Sequence, residues 1–205
     1  MTQHSLFKPE PIANLLPYDG IVESYGLIFN AQDAALYLRY FLTHLAWQPD
    51  HVKVFGREYQ TTRKVAWYAD DAYSYIYSGM PKQAQIWQPA LFCLKQHIEQ
   101  RVGHSFNSCL ANLYEDGSQG MGWHRDNEKT LGQYPVIASL SLGATRKFRF
   151  KHIQTQETVD CMLEQGHLVL MRGQTQHFWK HCLAKSTRVL EPRINLTFRY
   201  FYPEY

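Results

Sequence analysis

The second half of the chain alternates apolar and polar residues with a period of two, which is typical of short, half-buried β-strands. Segments with this pattern span residues 109–114, 137–142, 147–150, 166–171 and 194–201. Short strands at such regular spacing are typical of two facing antiparallel sheets. This half of the chain therefore predicts a jelly roll.

Two helix patterns precede these strands. The first follows Asn30, which can cap a helix, and repeats apolar residues at helical spacing as far as Leu45. The second begins at Pro89, a residue favoured in the first helical turn, and ends before Gly103. We predict an α+β fold, with a double-stranded β-helix (jelly-roll) core backed by N-terminal helices.

The 205 residues contain no linker that would separate two domains. We predict an N-terminal arm at 1–24 and one domain at 25–205 that includes hairpins at about 50–80. A hydrophobic content of 45% excludes a largely disordered chain, and the four cysteines form no C-x-x-C pair. No apolar run is long enough for a membrane span and no signal peptide is recognisable, so we expect an intracellular, cytoplasmic protein, or a nuclear one in a eukaryote.

A His-x-Asp pair, His124 and Asp126, lies just beyond one strand-like segment. Residues two apart in an extended segment point to the same side, so both side chains can converge on one point. Two histidines and one carboxylate form the facial triad that binds non-haem Fe(II). The pair is common by chance, so a third ligand is needed, and both His177 and His181 are available.

The segment 192–199 predicts a strand with one polar and one apolar face. The polar face carries Arg193, Asn195, Thr197 and Arg199. A guanidinium held stiffly on such a strand suits bidentate recognition of a carboxylate. The alternative is an ordinary half-buried strand with solvated arginines, and this segment alone favours that alternative.

Four motifs together resemble the AlkB family of Fe(II)/2-oxoglutarate dioxygenases, which demethylate alkylated nucleic-acid bases. They are Asn-Leu-Tyr at 112–114, His-Arg-Asp at 124–126, Ile-Ala-Ser-Leu-Ser-Leu-Gly at 137–143 and Pro-Arg-Ile-Asn-Leu-Thr-Phe-Arg at 192–199. The resemblance covers residues 25–201. It implies Fe(II) as the metal, 2-oxoglutarate as cosubstrate and O2 as oxidant.

The resemblance also assigns the residues of the centre. His124, Asp126 and His181 are the metal ligands and the catalytic residues, because the twelve-residue interval from His181 to Arg193 favours His181 over His177. Arg199 is assigned to the far carboxylate of 2-oxoglutarate. The other cosubstrate contacts implied are Asn112, Tyr114, Arg193, Asn195 and Thr197.

A hairpin around Val54, Phe55 and Gly56 resembles the finger of the AlkB branch that acts on duplex DNA. In that branch an apolar side chain fills the gap left by the extruded base. The alternative, that Phe55 folds back onto the core, stays equally open from the residues. The further substrate contacts predicted are Arg57 and Arg63 on the hairpin, Tyr75, Ile76 and Tyr77 as the wall of the base pocket, Asn127 and Glu128 at the base edge, and Arg146. Arg63 would contact phosphate, with an ordinary surface charge as the alternative, and for Arg146 the alternative is an ordinary ion pair.

The net charge of +3 is unevenly distributed, since residues 140–200 carry ten Lys/Arg and four Asp/Glu, a local charge of +6. This favours an anionic partner, although a solvated surface has the same count. The resemblance predicts a monomeric oxidative demethylase of N1-methyladenine and N3-methylcytosine in DNA, double- or single-stranded, releasing formaldehyde and succinate. The alternatives are an RNA or protein demethylase or hydroxylase on the same scaffold, and a non-catalytic nucleic-acid-binding module.

Overall fold

The computed structural model describes residues 12–54, 57–77 and 80–202, with backbone alone at 52–54, 57–58, 75–77 and 80–82. Its helices are α1 Ala31–His44, α2 Pro89–Val102 and the single turn α3 Thr175–Phe178, with a 3-10 turn at Lys129–Leu131. Its strands are β1 Ile21–Leu27, β2 Gln48–Val54, β3 Arg57–Ala69, β4 Ser74–Tyr77, β5 Met80–Gln83, β6 Gln85–Ile86, β7 Ser108–Tyr114, β8 Met121–His124, β9 Ile137–Gly143, β10 Arg146–His152, β11 Thr158–Leu163, β12 His167–Arg172, β13 Trp179–Leu183 and β14 Arg193–Arg199.

Both long helices begin and end at the residues that the sequence predicts. The Asn30 side chain accepts a hydrogen bond from the Asp33 amide and so satisfies a free N–H of the first turn. Pro89 occupies the first turn of α2, and Gly103 ends that helix at φ +69°, a left-handed conformation that glycine adopts without a steric cost. The two helix predictions are confirmed.

Two sheets face each other. The large sheet has the strand order β1-β12-β9-β14-β7-β3-β2, with β6 beside β3, and the small sheet has the order β11-β10-β13-β8. One buried cluster, which includes Phe41, Leu94 and Leu196, packs α1 and α2 against the outer face of the large sheet. A second cluster, which includes Phe150 and Met171, fills the space between the sheets. This arrangement confirms the predicted α+β class with a helix-backed jelly-roll core.

The register of the large sheet determines which side chains lie next to each other on neighbouring strands. On β14 and β7, Arg193 is paired with Tyr114, Asn195 with Asn112, and Thr197 with Leu110. The next strand continues the row, since Leu110 is also paired with Trp67 of β3. Because alternate residues of a strand share a face, these side chains point together into the space between the sheets.

The N-terminal arm ends earlier than the sequence predicts. Strand β1 starts at Ile21 and pairs antiparallel with β12, so residues 21–24 belong to the large sheet. Ahead of the strand, the Tyr18 hydroxyl donates to Glu157 and the Tyr18 carbonyl accepts from the Trp179 indole. The assignment of 21–24 to an irregular arm is wrong because the segment supplies the hydrogen bonds that the free edge of β12 would otherwise lack.

Strands β2 and β3 form the first predicted hairpin, and β4 and β5 form a second one at the same edge. The division into an arm and one domain otherwise stays a prediction. Among the described residues, no helix is long and apolar enough to cross a membrane.

Candidate metal and cosubstrate site

His124, Asp126 and His181 meet between the two sheets. Each offers a ligand atom within 4.8 Å of those of the other two. Strands β8 and β13 place the histidines opposite each other in register, with ring centroids 4.2 Å apart. Asp126 follows β8 directly and is buried. The antiparallel pairing of β8 and β13 therefore joins two parts of the chain that are more than fifty residues apart.

Each of the two imidazoles has a nitrogen that is available to coordinate a metal. His124 Nδ1 donates to the carbonyl of Gly122 at 2.8 Å, which leaves the lone pair of Nε2 free to coordinate. His181 is buried, and its Nδ1 has no hydrogen-bond partner. A buried imidazole with an unused nitrogen beside a buried carboxylate has the chemistry of a divalent-metal site.

The surroundings of the centre favour an ionised Asp126 and a neutral His181 imidazole. Burial raises the pKa of Asp126, but Arg199 and His181 outweigh it, so that this pKa lies below its ordinary value. Burial and the neighbouring His124 lower the pKa of His181 to about 3. Carboxylate and neutral imidazole are the forms that bind a metal.

Arg193 is 1% exposed and does not line the cavity itself, but it adjoins two residues that do, Tyr114 and Asn195, at what we call the deep end of the cavity. Its Nη2 donates to Ser141 Oγ at 2.7 Å and to Asn195 Oδ1 at 3.1 Å, and its guanidinium lies over the Tyr114 ring, 5.6 Å from the centroid. Burial lowers the pKa of Arg193 to about 10. Among the described residues no carboxylate lies within ion-pair distance of it. A buried cation without a counter-charge is costly, so this end of the cavity suits an anionic ligand.

A row of polar groups connects this deep end to the triad. Asn195 Nδ2 donates to Ser139 Oγ at 3.1 Å and to Thr197 Oγ1 at 3.2 Å. Asn112, Asn195, Thr197 and Arg199 all line the cavity that contains the triad. The predicted cosubstrate residues thus occupy one face of β7 and β14.

Arg199 occupies a different place from the one expected for a contact to the far carboxylate. Its Nη2 donates to Asp126 Oδ2 at 2.8 Å, so its guanidinium adjoins a metal ligand. An anion held by Arg199 would lie next to the metal rather than at the far end of a chelated ligand. The ion pair places Arg199 beside the triad, and its assignment to the far carboxylate stays a prediction.

Arg63 is not placed to contact phosphate. It is 7% exposed and forms an ion pair with the buried Asp50. Its Nε also donates to Asn112 Oδ1 at 3.1 Å. The prediction of a phosphate contact is wrong because this guanidinium is buried and paired. Arg63 instead holds the side chain of Asn112 at the wall of the cavity.

Arg146 is buried and bound to backbone carbonyls, so it is not available to contact a substrate. It is 1% exposed and donates to the carbonyls of Asp116, Gly117, Gln119 and Ala184. Both the predicted substrate contact and the ordinary ion pair considered as its alternative are wrong. Arg146 satisfies carbonyl groups of two loops that have no sheet partner and so holds those loops together.

Glu128 lines the cavity beside His124, and its Oε2 is buried without a hydrogen-bond partner. Burial raises the pKa of Glu128, and the charge of Arg199 opposes this shift. Asn127 is exposed and does not line the cavity.

The predicted finger and base-pocket wall are described only in part. Phe55 and Gly56 lie outside the described residues. The backbones of Val54, Arg57, Tyr75, Ile76 and Tyr77 lie in the two hairpins, but their side chains are outside the description. Their roles stay predictions.

His177 takes no part in the triad. It lies in α3, is exposed, and its Nε2 contacts the carbonyl of Gln133 at 2.7 Å. Its ring lies against Tyr134. Of the two histidines that the sequence left available, the structure brings His181 to the metal position.

The sequence reasoning missed several residues that line the cavity. Trp67 and Val65 lie beside Arg63 on the same face of β3 and point into it. Their period-two spacing was the signal that could have identified them. From the small sheet, Phe148 closes the opposite wall, and its sequence context does not distinguish it from any other core residue.

Comparison with known proteins agrees with this site. Residues 26–199 match the family model described as the 2OG-Fe(II) oxygenase superfamily. The chain is 43% identical to alpha-ketoglutarate-dependent dioxygenase alkB homolog 3 of Bos taurus over 155 residues, which are 71% of this chain and 54% of the relative. It is 35% identical to DNA oxidative demethylase ALKBH2 of Mus musculus over 200 residues, which are 90% of this chain and 82% of the relative.

The fold has relatives among solved structures. A structure described as OsALKBH1 matches with a TM-score of 0.62 at 16% identity, covering 90% of this chain and 99% of that one. A 2OG-Fe(II) oxygenase-family oxidoreductase from Burkholderia pseudomallei matches with a TM-score of 0.58 at 15% identity, covering 89% and 85%. At these identities the likeness concerns the fold alone.

The chain spans about half the length of the AlkB homolog 3 relatives that it matches. The family description contains both Fe(II) and 2-oxoglutarate, and oxygenases use dioxygen, so the expected cofactors are confirmed. The structure contains a His-Asp-His cluster that could hold a metal ion. By the match over 26–199 and the identity to ALKBH2, the chain belongs to the 2OG-Fe(II) oxygenase superfamily and to its AlkB-type members.

Proposed function

We propose that this chain is an Fe(II)- and 2-oxoglutarate-dependent dioxygenase that removes methyl groups from alkylated bases in DNA. The observation that carries the proposal is one cavity lined by a His-Asp-His cluster, a buried row of amide and guanidinium groups, and aromatic side chains. Two similar proteins support the nucleic-acid substrate, since one is called a DNA oxidative demethylase and the other an alkB homolog.

The residues present fit the metal. His124, Asp126 and His181 would hold Fe(II) and leave further coordination positions for the cosubstrate and dioxygen. Arg199 donates to the Asp126 oxygen Oδ2 and so orients the carboxylate, while the Gly122 carbonyl fixes the ring of His124. The bound iron supplies the oxidising chemistry, and the protein supplies position and exclusion of water.

The residues also fit 2-oxoglutarate. Arg193 would hold the far carboxylate, because it is the buried cation of the deep end and has an unused Nε. Asn112, Asn195 and Thr197 line the path from there to the triad. The keto-acid end would then lie beside Arg199 and the metal. Burial of the guanidinium against Tyr114 strengthens its attraction for a carboxylate, because the local dielectric constant is low.

The methylated base would enter from the side of the two hairpins. Glu128 offers a carboxyl group there, and Trp67 and Leu110 offer apolar surface. Enzymes that act on a base inside a duplex must extrude it into such a pocket. Dioxygen would supply one oxygen atom to succinate, formed from 2-oxoglutarate with loss of CO2, and the other to the methyl group. The resulting hydroxymethyl group would leave as formaldehyde. The role of Phe55 in duplex DNA, the monomeric state and the cytoplasmic location stay predictions.

Formaldehyde release tests the proposal. Purified protein with Fe(II) and 2-oxoglutarate should release formaldehyde and succinate in a 1:1 ratio from an oligonucleotide with one N3-methylcytosine. The unmethylated oligonucleotide is the control and should yield no formaldehyde. Binding of the methylated strand without either product would favour a non-catalytic binding module, and turnover on methylated RNA alone would favour an RNA demethylase.

A further inference from the structure

Trp67 stands between two cavities on the inner face of the large sheet. The cavity that contains the triad and a smaller neighbouring cavity share Trp67, Leu110, Glu128 and Arg199 as lining residues. Beyond these shared residues the smaller cavity continues towards Leu131. Trp67 is therefore one of four residues that border both spaces, and it also lines a third cavity beside Gln48 and Ala84.

The side chain of Trp67 is held in place by Phe201, which itself lines the smaller cavity. The ring of Phe201 packs edge-on against Trp67, with centroids 5.4 Å apart at an angle of 71°. Phe201 is 3% exposed, and its backbone exchanges two hydrogen bonds with the side chain of Asn107, at 2.6 and 2.7 Å. Because the supporting ring is buried and its backbone is held at both polar groups, the indole cannot move back without disturbing the core.

Trp67 lies on a different strand of the sheet from the predicted cosubstrate residues. It is paired with Leu110, which is paired in turn with Thr197, so it lies two strands away from β14 on the side of the hairpins. This part of the cavity wall is flat and apolar, and Glu128 provides a polar group beside it. A planar heterocycle with a polar edge fits such a wall.

We propose that Trp67 determines the size of the base that the pocket accepts, and that it disfavours methylated purines relative to methylated pyrimidines. The inference rests on the proposed function. A purine is longer than a pyrimidine by a fused five-membered ring, and the indole occupies the space through which that ring would reach the smaller cavity. Replacement of Trp67 by alanine would join the two cavities and create room of about the size of one ring.

The discriminating quantity is the ratio of two kcat/KM values. They are measured for single-stranded oligonucleotides that are identical except for one N3-methylcytosine or one N1-methyladenine. In Trp67→Ala we expect the ratio of methyladenine to methylcytosine to rise by roughly tenfold over the wild type, since a single methylene in an apolar pocket already changes such ratios about 10- to 200-fold. Trp67→Phe, which removes less volume, should shift the ratio less.

Two controls separate selectivity from damage. Trp87 lines neither cavity and donates its indole N–H to Asp70 at 2.6 Å, so Trp87→Ala removes the same side chain elsewhere and should leave the ratio unchanged. Fluorescence anisotropy with the two labelled oligonucleotides should show the same shift in relative affinity without turnover.

The experiment distinguishes failure of the role of Trp67 from failure of the proposed function. An unchanged ratio, or one that moves towards methylcytosine, in Trp67→Ala or in Trp67→Phe would overturn the role of Trp67. Should the alanine variant not fold, the ratio in Trp67→Phe alone decides. Absence of formaldehyde from both oligonucleotides with the wild-type protein would instead refute the proposed function.

Discussion

The deep end of the cavity and its open end are built in different ways. Arg193, Tyr114 and Ser141 at the deep end are all buried and come from three neighbouring strands of one sheet. At the open end His124 is half-buried, Asn127 is exposed, and the two hairpins lie at the edge of the sheet. Rigid strands suit a small cosubstrate of constant shape, whereas surface loops are the usual place for contacts with a larger partner.

Because the two ends are built differently, we expect their residues to control different properties of the protein. Changes at the deep end should alter the requirement for 2-oxoglutarate and leave nucleic-acid affinity intact, and changes at the open end should do the reverse. The triad lies between the two regions and should affect turnover on every substrate. Four substitutions test this division.

His124→Ala should have the largest effect, because it removes a metal ligand that both regions need. We expect turnover to fall below detection, with a change of less than about twofold in affinity for an oligonucleotide, since phosphate contacts supply most of that affinity. Formaldehyde release and fluorescence anisotropy measure the two quantities. Equal losses in both would contradict the separation of metal and nucleic-acid binding.

Arg193→Met should affect the binding of 2-oxoglutarate alone. Loss of a charge-assisted contact to the far carboxylate should raise the KM for 2-oxoglutarate by roughly 10- to 100-fold. Because the guanidinium is buried without a carboxylate partner among the described residues, its removal should not lower the Tm of the protein without ligands. The matched control is Arg149→Met on the outer face of the small sheet, where Arg149 pairs with Asp160. An unchanged KM would show that another cation holds this carboxylate.

Arg199→Met should weaken the binding of the metal more than the binding of the cosubstrate. The substitution removes the donor to Asp126 Oδ2, and loss of such an orienting contact typically costs about 10- to 100-fold in metal affinity. Titration of the protein with Fe(II) in the absence of oxygen measures this affinity. If only the KM for 2-oxoglutarate changed, Arg199 rather than Arg193 would be the residue of the far carboxylate.

Glu128→Ala should have the smallest effect, confined to the open end. Loss of one hydrogen bond to the base, about 1 kcal/mol, should raise the KM for a methylated oligonucleotide by roughly fivefold. The KM for 2-oxoglutarate should stay unchanged, and Glu164→Ala, which alters an exposed carboxylate, should change neither value. A larger effect on 2-oxoglutarate than on the oligonucleotide would place Glu128 in the deep region.

The alternating segments and the helix caps determined most of the secondary structure and the fold class. Period-two alternation depends only on which face of a strand is buried, and the caps of α1 and α2 depend on local hydrogen bonds and backbone angles. The same local information, with the motif resemblance, identified His124, Asp126 and His181. Strand β1 was missed because its partner, β12, lies some 150 residues away and only the tertiary fold brings the two edges together.

The surroundings of the four arginines were decided by tertiary structure alone. From the sequence, Arg63, Arg146, Arg193 and Arg199 are four similar cations near strand ends. The fold buries Arg63 against Asp50, surrounds Arg146 with loop carbonyls and places Arg199 on Asp126, so that Arg193 is left as the buried cation of the deep end. Neighbours from distant parts of the chain set the task of each guanidinium, because the free energy of a buried charge depends on what surrounds it rather than on its place in the sequence.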